Sequence, residues 1–98
     1  FWATASIMAA YYEILNVSSN WLIKKGIKKT TANNYISELF LSLSQDAVNK
    51  RSQGFKKLVA DSQTPKGLNM QVLNELKKGK FYTKFIKAMD NINKRVSS

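Results

Sequence analysis

Asp61-Ser62-Gln63-Thr64-Pro65-Lys66-Gly67-Leu68-Asn69-Met70-Gln71 is the stretch on which the reading of this chain turns. It holds the single proline of the 98 residues and one of the four glycines. Thr64-Pro65-Lys66-Gly67 has the make-up of a tight turn: proline presets one backbone angle and glycine accepts a positive one. Leu68 then opens a helical pattern. A turn that leads into a helix start presents unpaired backbone N–H groups, which suit an anionic or carbonyl group. The plainer reading is a corner between two helices.

Working outward, the rest of the chain reads as helix with short punctuation. Downstream, Val72, Leu73 and Leu76 mark a short helix closed by Lys77-Lys78-Gly79. A last helix carries Phe81, Phe85, Ala88, Met89, Ile92 and Val96 at helical spacing. Upstream, Phe55, Leu58 and Val59 form a short stripe ending near Ser62, with a break expected over Asn49 to Ser52. Before the break, Ala32, Tyr35, Ile36, Leu39, Phe40, Leu43 and Ala47 follow an i, i+3, i+4 rule over four turns. Thr30 or Thr31 is expected to cap that helix, and Gly26 to end the one before it. No alternating strand pattern, internal repeat or low-complexity linker is seen.

Residues 1 to 23 carry no basic side chain and one acid, Glu13. They read as one long helix, apolar almost all round. Such a helix is buried on several sides or lies in a membrane. Glu13, Asn16, Ser18, Ser19 and Asn20 cut the apolar run short of the roughly 20 residues a span needs, and no positive segment precedes it as in a signal peptide. Ala3, Ala5, Ser6, Ala9 and Ala10 would admit another helix closely. A domain of this size has too little other surface to cover such a helix, so a second subunit is expected.

Composition limits the chemistry. There is no His and no Cys, so the usual neutral-pH acid/base, the commonest metal ligand and the thiolate nucleophile are all missing. The six carboxylates, Glu13, Glu38, Asp46, Asp61, Glu75 and Asp90, form no pair along the sequence. No catalytic residue and no metal ligand is expected. The net charge is +10, from 14 Lys and 2 Arg. A basic balance raises nucleic-acid binding, but the lysines fall at helix ends and corners, where the macrodipole favours them. Lys also outnumbers Arg, the better residue for bidentate phosphate contacts. A solvated surface is the simpler account, with no membrane and no nucleic-acid partner expected.

The order of a long apolar helix, a Gly, an Ala/Tyr helix, a short helix, a Thr-Pro-x-Gly turn, a short helix and a closing amphipathic helix resembles the C-terminal domain of pyrroline-5-carboxylate reductases. The family turn reads Ser/Thr-Pro-Gly-Gly-Thr/Ala-Thr. Here Thr64-Pro65-Lys66-Gly67-Leu68-Asn69 takes those positions, followed by Val72-Leu73-Asn74-Glu75-Leu76 and Gly79-Lys80-Phe81. The departures are Lys66 at the first family glycine, and Leu68 and Asn69 at the two small positions. Gly67-Leu68-Asn69-Met70-Gln71 looks more like a related reductase branch with Gly-Leu-Asn-Glu-Gln.

The resemblance implies an all-α bundle of about five helices, an interleaved homodimer like the C-terminal domain of 6-phosphogluconate dehydrogenases. It implies a dimerisation and substrate-binding domain over residues 1–98, belonging to a cytoplasmic enzyme of proline biosynthesis. That enzyme would reduce a C=N bond with NADP or NAD as cofactor, held mainly by an N-terminal Rossmann domain that this chain lacks. Thr64, Pro65, Lys66, Gly67, Leu68, Asn69 and Gln71 would then contact a small imine substrate. Two other classes stay open: a basic helical nucleic-acid-binding module, and a structural dimer domain without activity.

Overall fold

The computed structural model describes residues 1–97. Among these there is no strand, and the chain forms α1 (Trp2–Ala5), α2 (Met8–Lys24), α3 (Lys29–Asn49), α4 (Phe55–Asp61), α5 (Leu68–Lys78) and α6 (Phe81–Ser97), with a 3-10 turn at Arg51–Gln53. The all-α expectation and five principal helices are confirmed, with α1 as a one-turn addition. No helix of the described residues is long and apolar enough to cross a membrane.

The single long helix expected over residues 1–23 is broken. Ser6 and Ile7 leave the helical register between α1 and α2. The cause is local: Thr4 Oγ1 donates to the Phe1 carbonyl and Ser6 Oγ to the Trp2 carbonyl, both at 2.8 Å. Hydroxyls that bond back to the preceding turn compete with the backbone ladder and bend the helix.

The chain divides into two compact units. The first, Ile7–Ser52, is a hairpin of α2 and α3. Gly26 closes α2 as predicted, at φ +99°. Ile27 N–H donates to the Leu22 carbonyl and Gly26 N–H to that of Ile23, the paired bonds of a Schellman ending. The cap of α3 is not a threonine. Lys28, with extended backbone, takes the N-cap position without a side-chain bond, and Thr30 and Thr31 lie inside the first turn. The Schellman ending fixes where the chain emerges, and the helix restarts sooner than the threonines suggested.

Ser19 faces Asn33 and Tyr11 faces Phe40, so the two helices run antiparallel. Ser19 Oγ donates to Asn33 Oδ1 at 2.5 Å, and the Tyr11 and Phe40 rings meet edge-on at 6.1 Å. Ser19, Ala32 and Ile36 are the buried residues of the described chain. The small side chains that allow close helix approach are therefore Ser19 and Ala32. Ala9 and Ala10 of the expected set remain exposed.

The second unit contains Phe1–Ser6 and residues 53–97. Here α6 packs with α1 and with α5. The predicted break is the 3-10 turn followed by Gly54, at φ +86°. Helix α4 ends at Ser62 as expected. On α6, Phe85, Met89, Ile92 and Val96 share one face at i, i+4, i+7 and i+11. Lys84, Lys87, Asn91 and Lys94 share the opposite one. The lysines of this helix thus line its polar face, as the spacing of the apolar residues implies.

Candidate functional site

The Thr64–Gly67 segment closes as a turn, with Gly67 N–H donating to the Thr64 carbonyl at 2.8 Å. Its two central residues are Pro65 and Lys66. The positive backbone angle falls on Lys66, at φ +61°, not on the glycine as the composition suggested. That is the third position of a type II turn, where glycine is normally required. Gly67 instead has φ −80° and ψ 164° and acts as N-cap of α5. It must be glycine for a different reason: a Cβ there would collide with Thr64 Oγ1 and lie 2.8 Å from the Thr64 carbonyl. The same displacement recurs at the end of α5, where Gly79 has φ −78° and Lys80 has φ +63°.

Asn69 ties the turn to the preceding helix. Its Nδ2 donates to the Ser62 carbonyl at 3.1 Å across seven residues, which joins the end of α4 to the start of α5. Gln71 Nε2 donates to Glu75 Oε2 at 3.1 Å. Both amides keep a carbonyl oxygen pointing away from the bonded nitrogen. Asp61, the one acid of the stretch, pairs with Lys57 at 2.7 Å. Both side chains of that pair are more than half exposed, so it stabilises the unit little. No side chain caps the first turn of α5. Pro65, Lys66 and Leu68 are exposed, and Gly67 is half-buried.

Thr64 to Gln71 are thus brought together at one corner. A shallow groove of this unit lies elsewhere, between α4, α5 and the start of α6, lined by Lys56, Val59, Leu73, Lys77, Tyr82 and Thr83. None of the predicted site residues lines it. Tyr82 stacks edge-on with Phe81 at 5.2 Å. The groove was invisible in sequence because its residues come from three helices. No cluster of three or more acidic side chains that would hold a metal ion occurs among the described residues.

The larger site is the surface itself. The exposed surface is 8570 Å² over two compact units. It is rich in apolar side chains: Trp21 is 60% exposed, Tyr12 57%, Tyr35 57% and Leu43 56%. Among the described residues nothing larger than isoleucine is buried.

The sequence profile for pyrroline-5-carboxylate reductase dimerisation matches residues 2–98. The chain belongs to that family. No curated protein and no solved structure matches it. Membership explains the exposed apolar surface, since a dimerisation domain of this family is completed by a second copy, and it agrees with the all-α architecture.

Proposed function

We propose that this chain is the dimerisation and substrate-binding domain of an NAD(P)-dependent reductase that acts on a C=N bond, with the Thr64–Gln71 corner forming one wall of the substrate site. The observation that carries the reading is the Thr64–Gly67 turn, closed at 2.8 Å and feeding directly into the start of α5, which no side chain caps. Backbone N–H groups of Leu68 and Asn69 there are suited to a substrate carboxylate. Lys66 adds a cation beside them. Asn69 holds the corner through Ser62 while offering its amide oxygen to a donor on the substrate.

The residues present do not by themselves fit a dinucleotide. The described chain has no strand and no G-x-G-x-x-G sequence, so it offers no Gly-rich phosphate cradle. The nicotinamide cofactor supplies the hydride when bound, and a Rossmann domain elsewhere in the protein would hold it. This chain's share is to bind and orient the imine and to bring two copies together. The interleaved arrangement of the dimer, a cytoplasmic location and a place in proline biosynthesis belong to the same reading.

The test uses full-length protein carrying this domain. NADPH and NADH oxidation are followed with a panel of cyclic imino acids. Turnover with one of them, with KM raised by Asn69→Ala, is expected. Absence of turnover with every imine and both cofactors would overturn the enzymatic reading and leave the dimerisation family intact.

A further inference from the structure

Helix α2 carries two apolar faces. One holds Ser19 against α3. The other is a stripe of Ala10, Ile14, Val17 and Trp21. These residues are spaced i, i+4, i+7 and i+11, which confines them to about 60° of the circumference, roughly opposite Ser19. The hairpin leaves this stripe largely uncovered: Val17 is 55% and Trp21 60% exposed, Ala10 is exposed and Ile14 half-buried. The stripe is also uncharged. No cationic side chain lies between Phe1 and Ile23, and the one acid there is Glu13. At the end of the stripe, Lys25 Nζ stands over one face of the Trp21 ring, 5.2 Å from its centre, which leaves the other face to a partner.

We infer that this stripe is a twofold contact with α2 of a second copy, the two helices running antiparallel. Three features select that occupant. The chain belongs to a dimerisation family, so a copy of itself is the partner to be placed. Two copies with a net charge of +10 each repel one another, and the repulsion is least where they meet through a segment without cations. The third feature is that the stripe is complementary to itself when reversed. Its four residues are placed symmetrically about the point between Leu15 and Asn16. Turned about that point, Trp21 falls across from the partner's Ala10, and Ile14 across from the partner's Val17. The largest side chain then meets the smallest, the alternation by which facing helices interdigitate. A parallel pair would set Trp21 on its own counterpart at one end and leave a gap between two alanines at the other. A contact that uses the same patch on both subunits needs such self-complementarity. The inference rests on the dimerisation family and is independent of the imine-reductase reading.

The full 98-residue chain has no cysteine, so single introduced thiols report the contact. Val17 lies about 2 Å along the helix from the symmetry point, which sets its two copies about 4.5 Å apart along the axis, within reach of a disulfide. Val17→Cys exchanges one small apolar side chain for another and should become a covalent dimer on mild oxidation. Asn20→Cys, exposed on the same helix but off the stripe, should not. Ala10→Cys and Trp21→Cys each stand about 16 Å along the axis from their own counterparts. Neither should link alone, and the two should link when refolded together. Circular dichroism and light scattering on each variant check fold and assembly, and the comparison of Val17→Cys with Asn20→Cys decides even where Trp21→Cys does not fold. Self-linking of both Ala10→Cys and Trp21→Cys overturns the inference in favour of a parallel pair. Equal linking of Val17→Cys and Asn20→Cys overturns it as random collision. A dimer in which no stripe cysteine links overturns it by placing the partner on another face, and a folded monomer at micromolar concentration overturns it outright.

Discussion

The Thr64 carbonyl lies 2.8 Å from the point where a Cβ on Gly67 would stand, and Thr64 Oγ1 is closer still. The turn therefore closes only over a residue without a side chain. Gly67→Ala should cost about 1–3 kcal/mol, the usual range for forcing atoms into a packed position. Gly79→Ala is the matched control, because its nearest atom is the Glu75 carbonyl at 3.5 Å, ordinary contact. Urea denaturation of the two variants should separate them; equal behaviour would refute the steric account.

Lys66 is held at φ +61°, a region that costs a side-chain-bearing residue roughly 1–2 kcal/mol. Asparagine tolerates it better. Lys66→Asn should raise stability by about 0.5–1 kcal/mol, read as a higher urea midpoint at constant slope. If Lys66 also serves the substrate, the same variant should raise KM for an anionic imine, so stability and binding would move in opposite directions. A less stable Lys66→Asn protein would contradict the strain at this position.

Asn69 Nδ2 bridges α5 to the Ser62 carbonyl at an exposed corner. Removing it in Asn69→Ala should cost about 0.5–1.5 kcal/mol. Asn69→Asp removes the donor and places a carboxylate against a carbonyl, so it should cost more than Asn69→Ala. Faster amide exchange at the end of α4 and the start of α5 is the local signature. Unchanged exchange there would show that the bond does not join the two helices.

Much of this fold is legible in the sequence because helical periodicity and glycine punctuation are local signals. The ends of α2 and α4, the break after α3 and the stripe of α6 all follow from spacing. The break at Ser6–Ile7 does not, since hydroxyls that bend a helix leave the apolar pattern intact. The turn is legible in place but not in detail: composition puts its positive angle on Gly67, because it does not distinguish a glycine needed for its backbone angle from one needed for space. The groove beside Tyr82 is beyond reach, being made by packing.

Ile36 is 6% exposed and Ala32 fully buried, and together with Ser19 they hold α2 against α3. Ile36→Ala should cost about 2–4 kcal/mol per chain. Ala32→Leu should cost about 1–3 kcal/mol by overpacking the close approach. Ser19→Ala leaves Asn33 Oδ1 without its donor and should cost about 1 kcal/mol. Thermal melts that rank Ser19→Ala as the most damaging of the three would refute this account of the hairpin.

With so little buried inside one chain, folding and association should be a single step. The melting temperature of the wild-type chain should rise with protein concentration, as it does for obligate dimers, and light scattering should report a dimer at micromolar concentration. A concentration-independent melt from a well-folded monomer would refute it.

The 8570 Å² of exposed surface also has a genetic consequence. In a homodimer a substitution enters both halves of the shared core. A change that weakens the contact by a given amount in one chain weakens the assembly about twice, and a variant co-expressed with the wild type yields mixed pairs of intermediate stability. Defects in this domain should therefore spread to normal subunits, and a mild variant should show its effect first where the protein is scarce.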